Sequence, residues 1–465
     1  MSLAFHARRI MLVTVLVVAA TSALASETVG WRTDGTGRYP TATPVLQWGP
    51  DQNVRWKTAL PGTGNATPIL VGNRIFLCAE PSTLVCLEAT DGHILWQKTN
   101  TYEDIASPED LAKIGPDQAK AKALEGEFNK ASREANQAKA GLQSKPDDEA
   151  LKTKLAAAQA RQTAIGLELE PYRKLWYILP PRHDINGYSS ATPVSDGHYV
   201  WVVFGTGIVA CYDLEGNRQW AKFIEKPTDM WGHSASPVVV GDKLIVHISQ
   251  FTALDKSTGA RLWQTRSGAC WGTHLPTAIG GTQVIVTPKG EILRVDDGVV
   301  LAKGIAGLEY ASPTLDGRIA YFIENGGKAV ELPEAVVENK VVCRKLWNTQ
   351  PKKDRYYASP VLHEGLLYAV NQVGVFSCID AATGEVVYEQ NLGLGRAVCY
   401  PSVTFAGGHL FVAGDNGTTV VVTPGRTYSE VGRNKIEPYR GSPVFDGDRL
   451  FLRGFQNLYC IGAVN

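Results

Sequence analysis

Short apolar runs recur along this chain with a period of about 40 residues, and the same polar residues separate them in each copy. One complete copy begins at Ser236-Pro237, turns at Gly241-Asp242 and enters a first apolar run, Leu244 to Ser249. A second run, Thr252 to Leu254, leads through a Gly turn to Trp263. Runs this short between Gly turns are typical of β-strands. Several short strands in each 40-residue unit predict a β-propeller.

The pattern occurs eight times, which predicts an all-β fold: an eight-bladed β-propeller of four-stranded blades. The proline that opens each copy recurs as Pro68, Pro193, Pro237, Pro276, Pro313, Pro360 and Pro443, with Val403 in phase in the seventh copy. The last copy, from Arg440 onward, lacks a closing aromatic residue, whereas Val54-Arg55-Trp56 precedes the first copy and matches a fourth strand. We therefore expect the N-terminal segment to complete the last blade and leave no free sheet edge.

A large aromatic residue closes most copies, and we expect these residues to dock structurally between neighbouring blades. They are Trp56, Trp96, Trp220, Trp263, Trp347, Tyr388 and Tyr428, with Ala302 as the exception. Cysteines occupy one repeated position in the third strand, in different blades, and are expected to be core residues because such positions lie too far apart to bridge. Cys78 and Cys86 flank one hairpin, and a disulfide between them is left open as an alternative.

The step between Trp96 and Trp220 is far longer than the others and contains a segment of different composition. Residues 103–180 are rich in Ala, Lys, Glu and Gln, and apolar positions recur there at spacings of three and four residues. This pattern predicts two antiparallel helices of about 25 residues each, joined by a heptad seam as a coiled-coil hairpin. The hairpin is either a surface decoration or a docking arm for another protein.

The chain divides into four expected segments, and the first of them indicates the compartment in which the protein acts. Residues 1–25 resemble a secretory signal peptide, 26–102 form the closing strand and blade 1, 103–180 the hairpin, and 181–465 blades 2–8. The signal consists of Arg8-Arg9, an apolar stretch and the small-residue site Ala23-Leu24-Ala25. We expect a periplasmic or secreted protein without a transmembrane segment after cleavage. A formal net charge of zero gives no basic field for nucleic acid.

The loops between consecutive blades surround one mouth of the central channel, and they carry the candidate site. The residues three before each opening position are Asn65, Ser190, Ser234, Thr273, Tyr310, Tyr357, Tyr400 and Arg440; Tyr188, Trp231, His233, Trp271 and His274 lie beside them. Tyrosine and tryptophan provide large contact areas with a polar tip, which suits the recognition of a ligand or a protein. In the alternative interpretation the tyrosines only cap the inner strands. No residue is assigned a catalytic role, and no metal site is predicted from the two isolated histidines.

The segment Ala253 to Trp263 resembles the tryptophan docking motif of pyrroloquinoline-quinone (PQQ) repeat propellers, and looser versions run over Leu87–Trp96, Cys211–Trp220 and Cys378–Tyr388. That superfamily includes quinoprotein dehydrogenases as well as non-catalytic scaffolds such as the lipoprotein of the outer-membrane β-barrel assembly machinery. The resemblance implies either a scaffold that binds protein partners without a cofactor or a dehydrogenase that uses PQQ with Ca²⁺. The family's dehydrogenases generally carry a vicinal disulfide, and no two cysteines are adjacent here. The scaffold is therefore the preferred interpretation, with a protein partner at the channel mouth or on the helical hairpin.

Overall fold

The computed structural model describes residues 28–464, and it shows eight four-stranded sheets arranged as the blades of one propeller. The predicted fold class is confirmed. The expected signal peptide, residues 1–25, lies outside the described residues. None of the helices within 28–464 combines the length and apolar character needed to cross a membrane.

The strands follow the repeat that the sequence predicts. Blade 1 contains Ile69–Val71, Arg74–Ala79, Thr83–Glu88 and Ile94–Thr99. Blade 2 contains Val194–Ser195, Tyr199–Val203, Ile208–Asp213 and Arg218–Phe223. Blade 3 contains Val238–Val240, Lys243–His247, Gln250–Asp255 and Arg261–Arg266. Blade 4 contains Leu275–Ile279, Thr282–Val286, Ile292–Arg294 and Val300–Ala302.

The second half of the ring continues the same order and ends with a blade that both chain termini build. Blade 5 contains Thr314–Asp316, Ile319–Glu324, Gly326–Glu331 and Arg344–Thr349. Blade 6 contains Val361–His363, Leu366–Val370, Val375–Asp380 and Val386–Asn391. Blade 7 contains Thr404–Ala406, His409–Ala413, Thr418–Val422 and Glu430–Lys435, with Arg38–Tyr39 added in parallel at its inner edge. Blade 8 contains Val444–Asp446, Arg449–Arg453 and Asn457–Ile461, and Val54–Ala59 supplies its fourth strand.

The pairing within blade 8 confirms that the N-terminal segment completes the ring. Val54–Ala59 runs antiparallel to Asn457–Ile461 and places Trp56 opposite Cys460. In the other blades with cysteine at this position, Cys86 lies opposite Trp96, Cys211 opposite Trp220 and Cys378 opposite Tyr388. The repeated cysteines are therefore buried at equivalent positions of separate blades, as expected for core residues.

At five of the eight junctions, a tryptophan connects its own blade to the next in the same way. The indole N–H of Trp263 donates to the carbonyl oxygen of Val295 in blade 4 at 2.8 Å, and its ring covers the turn at Gly298. Trp347 makes the equivalent bond to Ala381 at 3.0 Å. The same bond runs from Trp56 to Ala89, from Trp96 to Leu214 and from Trp220 to Lys256. Each ring thus buries apolar area between two sheets while its only polar atom is paired.

The structure corrects the assignment of Tyr428 as the docking residue of blade 7. Strand register places Gly432, not Tyr428, opposite Val421, in the position that Tyr388 occupies in blade 6. Tyr428 lies in the preceding turn and packs edge-on against Tyr388, with ring centroids 6.3 Å apart. Tyr428 is therefore part of the blade 7 surface against which Tyr388, the docking residue of blade 6, packs.

Trp48 fills the junction between blades 7 and 8 that Gly432 leaves open. A side chain at Gly432 would come within 2.8 Å of the Leu46 carbonyl oxygen, because the N-terminal segment passes over this strand. Trp48 follows directly, is buried, and stacks on Phe411 with centroids 6.2 Å apart. Asn434 holds the segment in place: its Oδ1 accepts the backbone N–H of Trp48.

The possible disulfide between Cys78 and Cys86 is not formed, and both residues are free and buried. The hairpin register pairs Cys78 with Leu84, and Cys86 with Phe76. The two cysteines are therefore diagonal rather than opposite, two residues apart along the strand, and their Cα atoms are too distant for S–S geometry.

The inserted segment forms the predicted helical hairpin, with α1 over Pro108–Ser144 and α2 over Glu149–Lys174. Ser107 and Asp148 cap the helix N-termini by accepting backbone N–H groups. Several of the apolar positions that recur at spacings of three and four residues are buried, namely Leu124, Ala131, Ala138, Ala158, Ile165 and Leu169. The expectation of about 25 residues per helix is wrong for α1, which has 37, because its first turns begin well before the seam. A supercoiled heptad seam remains a prediction.

The base of the hairpin is part of the propeller core, whereas its distal half projects away from it. Ile114 and Leu169 cluster with Tyr102 and with Ile208 and Phe223 of blade 2. Lys226 completes the attachment by donating from Nζ to the carbonyl oxygens of Arg173 and Leu175 at the end of α2. The last carbonyls of α2 thus have a cationic partner from the blade 2–3 loop.

We expect Gly298→Ala to destabilise the propeller much more than Gly365→Ala. Both glycines have the same positive φ, 72° and 73°, which costs an alanine about 1 kcal/mol. A Cβ at Gly298 would also lie 2.5 Å from the Trp263 ring, whereas a Cβ at Gly365 would meet nothing within 4 Å. Displacing the docked ring adds roughly 1–3 kcal/mol. Denaturant unfolding of the two variants measures this difference, and equal losses would show that ring docking contributes little.

We expect the distal half of the hairpin to contribute little to the stability of the propeller and its base to contribute measurably. Gln162 of α2 bonds to Ser132 of α1, so a short Gly-rich turn can join the helices at this level in place of residues 133–161. This variant should melt close to the full chain. Deletion of residues 105–175 should lower the melting temperature by several degrees, because it exposes Ile208 and Phe223. Thermal unfolding by circular dichroism compares them; equal melting of both variants would contradict a structural role for the base.

Candidate functional site

A pocket of about 310 Å³ occupies the mouth of the central channel, where the blade-to-blade loops converge. Seven of the eight rim positions come from the predicted ring: Asn65, Ser190, Ser234, Tyr310, Tyr357, Tyr400 and Arg440. Trp231 and Trp271 also line the pocket, as predicted for neighbouring loop residues. The rim is therefore a composite surface to which every blade contributes.

A belt of hydrogen bonds below the rim joins the inner strands of all eight blades. In each link the backbone N–H of one belt residue donates to the side-chain hydroxyl of the next blade, for example Ser312 to Ser359 at 3.0 Å. The belt runs through Thr192, Ser236, Thr273, Ser312, Ser359, Ser402, Ser442 and Thr67. It crosses from the C-terminal blade to blade 1 through the bond from Ser442 to Thr67. The Ser/Thr residue that precedes the opening proline in most copies thus links the inner strand of one blade to that of the next.

The belt hydrogen bonds show that the repeat of blade 4 begins two residues earlier than the position of Pro276 predicts. Thr273 is the belt residue there, since its N–H donates to Ser312 and its hydroxyl accepts from Ser236. His274 therefore occupies the place of the opening proline, and Pro276 falls two residues later. The rim position of blade 4 is consequently Trp271, and not Thr273 as the proline spacing predicts. Thr273 still faces the pocket, one level deeper.

Four aromatic residues from consecutive blades form a continuous arc along one side of the rim. Trp271 stacks on Tyr310 with centroids 5.5 Å apart, and Tyr310 meets Tyr357 edge-on at 4.8 Å. Tyr357 stacks on Tyr400 at 4.9 Å. Burial raises the pKa of both Tyr310 and Tyr400, so these hydroxyls stay protonated at neutral pH. The arc presents polar ring tips at the mouth and is rigidified by its own stacking.

Arg440 continues the arc and connects it to the opposite, more polar wall. Its guanidinium lies over the Tyr400 ring, 5.3 Å from the centroid, and Nη1 donates to the Ile185 carbonyl oxygen at 2.9 Å. Asn65 donates from its side chain to the same carbonyl oxygen and to Ser190 Oγ. The cation is 3.9 Å from the Asp415 carboxylate, a distance that leaves most of its hydrogen-bonding capacity free.

The N-terminal segment closes the far end of this pocket. Trp31 lines the pocket from below, and Val29 pairs with Ser195 of blade 2. Arg32 reaches across to the other side of the ring, where its guanidinium donates to the carbonyl oxygens of Pro360 and Val403 at 2.8 and 2.7 Å. Burial lowers the pKa of Arg32 to about 10, so it remains charged at neutral pH. Sequence reasoning did not assign these residues to the site.

Three residues predicted at the mouth do not line the pocket: Tyr188, His233 and His274 are buried beside it. The Tyr188 hydroxyl donates to the Pro180 carbonyl oxygen at 2.8 Å, which fixes the chain that returns from the hairpin. His233 donates from Nε2 to the carbonyl oxygen of His247, and the ring of His274 meets Phe251 edge-on at 5.0 Å. Their loop neighbours Trp231 and Trp271 line the pocket instead.

The buried histidines form one cluster between blades 3 and 4. His247 stacks on Phe251 with centroids 4.2 Å apart, and its Nδ1 lies 3.6 Å from Cys270 Sγ. Burial lowers the pKa of His233 to about 4 and that of His274 to about 3, and it lowers the pKa of His247 as well. These side chains are therefore neutral core residues at physiological pH.

The pocket does not supply the ligands that a PQQ–Ca²⁺ centre would need. Ca²⁺ takes six to eight oxygen ligands, usually with several carboxylates. Glu309 is the only carboxylate among the residues that line the pocket, and it is exposed at the rim. Nowhere in residues 28–464 do three or more His, Cys, Asp or Glu side chains converge in a geometry suited to a metal ion. The residues present thus disagree with this cofactor pair.

Eight four-stranded blades, tryptophan docking and a Ser/Thr belt define a PQQ-repeat β-propeller. The family model described as outer membrane protein assembly factor BamB matches residues 44–265, 205–335 and 340–431. Because these matches cover most of the chain, the protein belongs to this family of PQQ-repeat propellers.

Solved structures with the same fold include both scaffolds and enzymes. BamB from Moraxella catarrhalis is similar with a TM-score of 0.55 at 13% identity, over 88% of this chain and 96% of that one. A europium-containing methanol dehydrogenase gives 0.57 at 11% identity, over 93% and 98%. The quinohemoprotein alcohol dehydrogenase ADHIIG from Pseudomonas putida HK5 gives 0.52 at 11%, over 92% and 79%. At such identities the likeness shows the fold alone, and no curated protein sequence matches this chain.

We expect the buried histidines to make the propeller less stable as the pH falls below 6.5. Because the folded-state pKa of His233 is about 4 and the unfolded value about 6.5, the unfolded chain binds a proton first. This histidine contributes its full stability above pH 6.5 and about 2 kcal/mol less at pH 5. His233→Gln keeps a donor for the His247 carbonyl and should reduce this loss. Denaturant midpoints at pH 7.5 and 5 measure it, with the exposed His93→Gln as control; identical pH dependence in both variants would contradict the assignment.

Proposed function

We propose that this protein is an exported, non-catalytic propeller scaffold that binds a segment of a partner protein in the channel-mouth pocket. The observation that carries the proposal is the aromatic arc of Trp271, Tyr310, Tyr357 and Tyr400, which ends at Arg440. Aromatic residues and arginine dominate the binding energy of protein interfaces, because they bury much area at low cost in conformational entropy.

The shape of the pocket supports binding of an inserted segment from one side. Trp31 lies beneath the rim and Arg32 anchors the crossing segment, so the cavity is a cup rather than a tunnel. Trp231 extends the cup on the polar side, where 47% of its surface is exposed beside the His183 ring. A cup of about 310 Å³ accepts one or two side chains of an extended segment.

The side chains around the cup favour binding over catalysis. General acid–base and nucleophilic mechanisms need paired groups within hydrogen-bonding distance of each other and of the substrate. The described lining has neither histidine nor cysteine, and it has a single carboxylate, Glu309. Export is proposed from the sequence of residues 1–25, and it agrees with a family described by an outer-membrane assembly factor.

Site-specific photo-crosslinking in cells tests the proposal. A photoreactive phenylalanine at position 357 should give one discrete adduct, in the fraction outside the cytoplasm, and Arg440→Ala should reduce its yield several-fold. The matched control places the same group at Tyr199, an exposed tyrosine of blade 2 outside the pocket. No adduct at position 357, or equal adducts at both positions, would contradict binding at the mouth. Stoichiometric PQQ binding with Ca²⁺ and reduction of a dye acceptor would overturn the non-catalytic assignment.

A further inference from the structure

Most side-chain hydroxyls of the belt accept a hydrogen bond from the backbone but have, in the described part of the chain, no protein acceptor for their own O–H group. Each belt hydroxyl except that of Thr192 accepts a backbone N–H from the preceding blade, so its remaining capacity is chiefly that of an O–H donor. Among residues 28–464, none of these hydroxyls donates to a protein acceptor. The belt members that also line the pocket are Thr192, Ser236, Thr273, Ser312, Ser359, Ser402 and Ser442, and all of these except Thr192 have a hydroxyl that accepts a belt bond. A ring of hydroxyl donors therefore surrounds the base of the cup.

These donors belong to largely buried residues, and within residues 28–464 no protein acceptor pairs with them. Ser236 and Ser312 are each 1% exposed, and Ser359 is 3% exposed. Above them, Arg440 and Arg355 add donors that carry positive charge, and Glu309 is the only carboxylate of the lining. The lining thus carries a formal charge of one positive unit, counted as two arginines against one glutamate. A site with excess donors and one positive charge is complementary to a single negative acceptor group.

We propose that the base of the cup is a carboxylate subsite, which receives an acidic side chain or the C-terminal carboxylate of the partner segment. This inference rests on the proposed function and names the chemistry that the pocket selects. An ionised carboxylate only accepts hydrogen bonds, so it can take bonds from several of the hydroxyls at once and brings no donor of its own. Its methylene stem would pass the aromatic arc. A phosphate dianion would exceed the single net positive charge of the lining, whereas a carboxylate matches it.

Ligand-observed NMR on the purified full chain tests the subsite with defined probes. N-acetyl-glutamate α-amide and N-acetyl-alanylglycine carry a side-chain and a terminal carboxylate, respectively. N-acetyl-glutamine α-amide is the neutral isostere of the first, and inorganic phosphate represents the dianion. We expect at least one carboxylate probe to bind roughly 10-fold more tightly than the glutamine probe. The stronger of the two identifies the source of the carboxylate. Equal binding of glutamate and glutamine probes with no binding of N-acetyl-alanylglycine, or tighter binding of phosphate, would overturn the proposal.

Two variants distinguish a direct effect on carboxylate binding from an indirect effect of weakening the belt. Ser312→Ala with Ser359→Ala removes two pocket-facing hydroxyls and should weaken the carboxylate probe at least about 5-fold. Thr67→Ala removes an equivalent belt bond, from Ser442, at a residue that does not line the pocket, and should leave probe binding unchanged. Equal weakening by both variants would contradict direct contact. If the double variant does not fold, Arg440→Gln provides the same comparison.

The probe experiment and the crosslinking experiment together distinguish a failure of the carboxylate subsite from a failure of the proposed function. Should the carboxylate probes fail to bind while the adduct at position 357 forms, the subsite is wrong and partner binding stands. Should a carboxylate probe bind with the expected variant pattern while no adduct forms, the subsite stands as a small-molecule site and the scaffold function is wrong.

Discussion

The belt of backbone-to-hydroxyl hydrogen bonds around the channel is the constraint on which the rest of this propeller depends. Each inner strand is short, two to five residues, and among the described residues only those of blades 7 and 2 have a backbone neighbour on the channel side, Arg38–Tyr39 and Val29 respectively. The belt ties these short strands to the next blade, while docked tryptophans such as Trp263 bind the same blades at a larger radius. Two concentric sets of contacts therefore fix the angle between adjacent sheets, and this angle sets the width of the cup at the mouth.

Much of this architecture could be predicted from the sequence, because one physical solution is repeated eight times. Gly turns, apolar strands and closing tryptophans recur in register, so the blade count and the role of Val54–Ala59 follow from the pattern alone. The errors arise where one blade departs from the repeat. In blade 4, Pro276 follows the belt residue Thr273 by three positions, and in blade 7 the turn before Glu430–Lys435 is long enough to displace Tyr428. Both departures leave the apolar strands intact and shift only the proline or the aromatic residue from which the phase of the repeat was read.

The parts of the site that escaped prediction depend on contacts between distant segments of the chain. Trp48 packs against blade 7 through Asn434, and Arg32 finds its acceptors in blades 6 and 7. No local periodicity indicates such partners, because the segment is irregular and its neighbours are far away in sequence. The histidines illustrate a second difficulty. His233 and Trp231 are two residues apart, yet one is buried between blades and the other is exposed, and the loop conformation that separates them is not encoded in a repeat.

Completion of blade 8 by Val54–Ala59 has a consequence for the order in which the molecule is made. A chain that emerges from its N-terminus first presents this strand long before Asn457–Ile461 exists, so the strand has no pairing partner during nearly the whole of synthesis. The same delay applies to Trp56 and to the acceptor hydroxyl of Thr67, whose donor is Ser442. Blades 1 to 7 can each form as they appear, but the circle closes only when Asn457–Ile461 has been made. A chain that stops before this strand would leave Val54–Ala59 unpaired and blade 8 with an open sheet edge.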